Sequence, residues 1–64
     1  MNIGEKVREE RLKQNLKQLE LSKIASISNT YLSDIEIGRT TPSIKSLMKI
    51  AEALKLDCKH FMED

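Results

Sequence analysis

Cysteine is nearly absent from this sequence: Cys58 stands alone, so no internal disulfide is possible. With His60 it forms a Cys-x-His pair, but no further ligand cluster accompanies the two, and a zinc site needs three or four protein ligands. No metal or other cofactor is expected. Aromatic residues are almost as scarce, Tyr31 and Phe61 with no tryptophan, which leaves an aliphatic core of the kind several short helices can build. No long apolar run or signal-like segment is found at the N-terminus, so the expectation is a soluble, cytoplasmic chain without membrane association. Neither an activated nucleophile, a pair of catalytic acids nor a phosphate-cradling glycine loop is present. Catalysis and a small-molecule ligand are therefore not expected. Charge of one sign is lacking too. The net charge is +1; Arg39 alone faces Asp34 and Glu36 in residues 24–42, and the slight basic excess lies in the first 23 residues. The strong basic footprint that usually accompanies nucleic-acid binding is missing.

What is present is one organised stretch in a chain long enough for one domain. A chain of 64 residues buries only about 60% of its unfolded surface, for a stability of roughly 3–10 kcal/mol. Between Gln18 and Gly38 two helical patterns stand almost in contact. Leu21, Ile24 and Ala25 fall at i, i+3 and i+4, and Leu32 and Ile35 at i and i+3, with only Ser26, Ile27 and Ser28 between them. Ser28 can cap the second helix by accepting from its orphan N–H groups. Gly38 suits its end, where a left-handed residue is needed. So short a turn cannot fold two helices back antiparallel, so they cross steeply, the helix-turn-helix arrangement whose second helix enters the DNA major groove.

Leu21, Ala25, Ile27, Leu32 and Ile35 resemble the five apolar positions of the phage-repressor and Cro-like (Xre-type) helix-turn-helix family. Leu16, Gln18, Ser28, Tyr31-Leu32-Ser33, Ile35-Glu36, Gly38, Pro42-Ser43 and the run from Leu47 to Leu54 extend the likeness over residues 3 to 62. The resemblance implies an all-α, compact five-helix domain with a lambda-repressor-like DNA-binding fold. Departures are Lys17 for a Thr or Ser cap, Ser22 for Ala and Ser26 for the turn glycine. Asp34 and Ile37 stand where basic or polar residues are common, which bears on the DNA that is read.

In chain order, the first helix is expected from Ile3 to Asn15, with Asn15 as its cap. Ile3 and Val7 define a face whose continuation lands on Arg11. A buried arginine needs a carboxylate, and Glu36, beside Leu32 and Ile35, is the candidate partner, as at the matching family positions; the alternative is that Arg11 snorkels to solvent. The second helix is expected from Lys17 or Gln18 to Ala25, with Leu19 and Ile24 either extending the core or forming a small partner-binding patch. The third runs from Ser28 to Ile37. Its outer face holds Asn29, Thr30, Ser33, Asp34 and Ile37. A loop through Pro42 leads to Ser43, the cap of a fourth helix whose Ile44, Leu47, Met48, Ile50, Ala51 and Leu54 read as a mostly buried stripe. Asp57 caps a last short helix anchored by Phe61.

The expected function is sequence-specific recognition of double-stranded DNA by a transcriptional regulator, a repressor, binding as a homodimer to a near-palindromic operator. Asn29, Thr30, Ser33 and Asp34 are the candidate base readers, with the alternative that Asp34 faces solvent. Gln18, Ser28, Arg39 and Thr41 are the candidate phosphate contacts, Gln18 alternatively being an ordinary first-turn residue. Leu56, Phe61 and Met62 are the candidate dimer contacts, unless Phe61 closes the core. The rival class is a protein-interaction module, such as an anti-repressor, to which the near-neutral charge, Asp34, Ile37, Leu19 and Ile24 would belong.

Overall fold

Short polar side chains open the helices. Asn2 accepts from the Glu5 N–H at 2.8 Å, Ser28 from Tyr31 at 3.0 Å, Ser43 from Ser46 at 3.1 Å and Asp57 from Lys59 at 3.0 Å. These caps start four of five helices in the computed structural model, which describes residues 2–62. The order is α1 (Ile3–Lys13), α2 (Gln18–Ile24), α3 (Asn29–Glu36), α4 (Ile44–Ala53) and α5 (Lys59–Met62). At α2 the cap position is Lys17, whose ammonium cannot accept, and only the return half of a capping box is made: Glu20 accepts from the Lys17 N–H at 2.8 Å.

The first four helices also stop in one way. The residues Asn15, Ser26, Gly38 and Lys55 are left-handed, with φ of 57°, 59°, 82° and 60°. Each time, the following N–H reaches five residues back to a carbonyl of the helix: Leu16 to Arg11, Ile27 to Ser22, Arg39 to Asp34 and Leu56 to Ala51, all within 3.1 Å. This is the Schellman termination. Leu16, Ile27 and Leu56 then turn back onto the core. The joints α1–α2, α2–α3 and α4–α5 are therefore one four-residue device used three times: cap, left-handed residue, apolar residue, new cap. Only α3–α4 differs. There the exposed Arg39 occupies the apolar place, and three further residues, one of them the buried Pro42, precede Ser43.

Three of these left-handed residues carry a Cβ, which disfavours that conformation by roughly 1–2 kcal/mol. Glycine removes that penalty but loses more chain entropy on folding. Ser26→Gly and Lys55→Gly, both exposed, are each expected to stabilise the domain by about 0.5–1 kcal/mol in urea unfolding. A lowered midpoint in both would mean that the strain is compensated locally.

Val7, Leu21, Ala25, Leu32, Ile35, Leu47, Ile50, Ala51, Leu54 and Phe61 form the core. Gln14 ties the end of α1 to the end of α4 by donating to the Leu54 carbonyl at 2.8 Å. Several expectations are corrected here. Helix α1 ends at Lys13, because the left-handed Asn15 is already outside it. Ile44 and Met48 are 58% and 55% exposed: Leu47, Ile50, Ala51 and Leu54 already fill the one face that α4 turns inward, and its flank has nothing to meet in so small a domain. Leu19 and Ile24 lie on the outer side of α2 and are exposed rather than part of the core. Phe61 is 1% exposed. Its ring is the plug by which the four-residue α5 is held, so it leaves the set of dimer contacts; Met62 stays exposed and Leu56 half-buried against the core. No helix among the described residues is long and apolar enough to cross a membrane.

Candidate nucleic-acid interface

One carboxylate holds the recognition unit together. Glu36, buried at the end of α3, accepts at Oε2 from Arg11 Nε at 2.8 Å and at Oε1 from Arg11 Nη2 at 2.9 Å. Gln18 Nε2 donates to the same Oε1 at 3.2 Å. The remaining arm of the guanidinium, Nη1, donates to the Leu16 carbonyl at 2.8 Å. Glu36 thus receives donors from α1, α2 and its own α3 is fixed against both. The ion pair is bidentate and shielded, the geometry in which opposite charges offset their desolvation best. Among the described residues no buried side-chain nitrogen or oxygen is left without a partner.

Gly4 is the second contact that sets α3, and periodicity gave no signal for it. It is buried where α1 crosses the last turn of α3: a Cβ added there would collide with the Ile35 carbonyl oxygen and lie 3.1 Å from that of Glu36. Only a residue without a side chain allows this approach.

So fixed, α3 buries Leu32, Ile35 and Glu36 and turns the other side out. Asn29 and Thr30, in its first turn, are exposed; Ser33 and Asp34, one turn later, are half-buried. Ile37 closes this face as the helix C-cap. The face is short and free of bulky side chains except at Ile37. Its one carboxylate, Asp34, has Arg39 Nη1 at 4.0 Å, the outer limit of an ion pair, while the Arg39 side chain remains 74% exposed. Because Glu36 is compensated internally by Arg11, Asp34 and Arg39 are the charges that this region turns outward.

Of the candidate phosphate contacts, Ser28, Arg39 and Thr41 are exposed around the ends of α3, at either side of its outer face. Ser28 accepts from Tyr31 N–H, which leaves its own hydroxyl proton available for donation. Gln18 is placed differently from the other three: it is half-buried and its amide is engaged by Glu36. The Cys58–His60 pair is not brought together on one ligand. Cys58 Sγ lies 3.8 Å from Met62 Sδ, and His60 Nε2 lies 3.1 Å from Glu10 Oε2 on α1.

The model of the helix-turn-helix family matches residues 7–61. The chain is 46% identical over 55 residues to the ImmF control region 10 kDa protein of Bacillus phage phi105, a match covering 86% of this chain and 61% of that protein. It is 38% identical over 62 residues to the control protein C.BamHI of Bacillus amyloliquefaciens, covering 95% of this chain and 76% of that one. Two further relatives are covered over only 49% and 38% of their length. Among solved structures, the biofilm master regulator SinR of Bacillus subtilis, in complex with DNA, superposes with a TM-score of 0.91 at 29% identity, over 95% of this chain and 98% of that one. The fold, the joint between α2 and α3 and these matches agree, and the chain belongs to the helix-turn-helix family, in its phage-repressor and Cro-like branch.

Proposed function

We propose that this chain is a sequence-specific, double-stranded DNA-binding transcriptional regulator, acting as a repressor and as a homodimer on a near-palindromic operator. The observation that carries the reading is the outer face of α3, small and polar, held in place by Glu36 and Gly4 and followed by a loop that exposes Arg39 and Thr41. Its likeness to SinR, solved on DNA, supports the same use. On this reading Asn29 and Thr30 meet base edges first, because the N-terminal part of a recognition helix goes deepest into the groove. Asn29 is suited to the paired donor and acceptor of adenine, and Asp34 to a cytosine N4 donor. Ser28, Arg39, Thr41 and the N-terminal amide of α2 hold the phosphates and set the register. Two copies would place two α3 helices one helical turn of DNA apart, with Met62 and Leu56 as the remaining contact candidates.

The test is selection of duplexes from a random pool, followed by titration across salt concentrations. Enriched half-sites with a defined sequence are expected. Asn29→Ala should lose about 1–3 kcal/mol at one operator position and little at scrambled duplex. Arg39→Ala should weaken all sequences alike and flatten the salt slope by about one ion per protomer. Absence of any enrichment, together with binding insensitive to salt, would remove the function itself.

A further inference from the structure

Ile37 is 66% exposed, more than any other exposed large hydrophobic side chain among the described residues, whereas the other aliphatic residues of α3, Leu32 and Ile35, are at 0% and 1%. It is not a frayed end. Its N–H is bonded to the Ser33 carbonyl at 3.1 Å, and the next two residues are locked by Gly38 N–H to Ile35 and Arg39 N–H to Asp34 at 3.1 and 2.9 Å. The side chain is therefore held out by a rigid helix end. Together with Thr30, Ser33 and Asp34 it makes an i, i+3, i+4, i+7 stripe, the spacing at which a homeodomain helix presents its base readers to the major groove.

We propose that Ile37 reads the C5-methyl group of a thymine, an inference that rests on the DNA-reading function proposed above. The chemistry of the stripe selects this occupant. Ile37 is the one large apolar group among hydroxyls and a carboxylate, so a partner helix or a second copy pressed onto this face would have to desolvate those polar groups around a single apolar contact. The major groove offers the matching pattern: donors and acceptors at every base pair, and one apolar feature, the thymine methyl. Ile37 thus adds to the four candidate polar readers a contact that recognises shape and apolarity, two turns from Thr30 and nearer the phosphates held by Arg39.

The decisive experiment replaces each thymine of a pool-selected duplex in turn by deoxyuridine, which removes the methyl and nothing else, and measures Kd by fluorescence anisotropy at one salt concentration. At one thymine per half-site, binding of the unaltered chain is expected to weaken about fourfold, the equivalent of ~0.8 kcal/mol for one buried methyl-sized group. With Ile37→Ala that penalty should vanish while those at other thymines persist. With Thr30→Ser, which removes the other methyl on the stripe, it should remain. Ile37→Val, β-branched and apolar like the parent, is expected to keep the penalty, separating the contact from any effect on the helix end. Deoxyuridine penalties unchanged by Ile37→Ala overturn the inference while leaving DNA reading intact. A pool without enriched sequences overturns both.

Discussion

Arg11→Ala is expected to destabilise the domain by roughly 3–5 kcal/mol, a large share of what a chain of this size possesses. Its guanidinium supplies both hydrogen bonds of the ion pair to Glu36 and the donor to the Leu16 carbonyl. Removing it leaves a carboxylate that is 2% exposed with only the Gln18 amide for company. Charge left alone in a dry site, rather than the lost attraction, dominates the penalty. Replacing the pair together, Arg11→Met with Glu36→Leu, should recover most of the loss, since no charge then remains buried. It should not recover all of it, because the Leu16 carbonyl and the Gln18 amide would still lack partners, at about 1–3 kcal/mol for each group that water cannot reach. Urea unfolding of the two single variants and the double variant gives the coupling directly. If Arg11→Ala leaves the midpoint in place and weakens DNA binding instead, Arg11 belongs to the interface and its structural role is refuted.

Gly4→Ala is expected to cost about 3 kcal/mol or more, at the upper end of overpacking penalties, because the atoms in the way are backbone carbonyls rather than a flexible side-chain end. The two glycines of the chain make a controlled comparison. An added Cβ at Gly38 meets nothing within 4 Å, but φ is +82°, so Gly38→Ala should lose only the ~1 kcal/mol of a left-handed residue with a side chain. One glycine is required for space and the other for an angle. Equal destabilisation by the two substitutions would show that α1 can shift away from α3, and that the close approach does not position the recognition helix.

What could be read beforehand was whatever depends on neighbours along the chain. Ser28, Ser43 and Asp57 announce helix starts through their own hydrogen-bonding chemistry, and Gly38 announces an end. Arg11 could be matched with Glu36 because two helical periodicities carried both to the core side. The rest depends on distances between helices, which a one-dimensional pattern does not contain. Gly4 looks like any glycine until α3 is set against it. Phe61 and Met62 are adjacent apolar residues, yet one is a core plug and the other faces outward, as decided by the rotation of α5. Ile44 and Met48 share the apolar stripe of α4, but that helix has fewer neighbours than its sequence has apolar residues. The left-handed conformation of Lys55 carries no residue signal, and that of Ser26 only its place at the turn glycine of the resembling family; both follow from where the next apolar side chain must land. On the outer face of α3 the residue types suggested polar readers and set Ile37 apart as a departure, but how far it stands out is a matter of its exposure.

The thrice-used joint has a consequence for how this chain can change length. Each such joint links a helix end to the next cap through a single left-handed residue and one apolar anchor, so one inserted residue would displace either the anchor from the core or the cap from the next helix. Insertions at Asn15, Ser26 or Lys55 should therefore destabilise the domain. In the α3–α4 loop the constraint is looser past the Schellman turn, since Arg39 is exposed and the buried Pro42 comes later. Length variants of this domain should thus be viable almost exclusively beside the recognition helix, where extra residues can alter the path over the phosphates while the five-helix frame keeps its register.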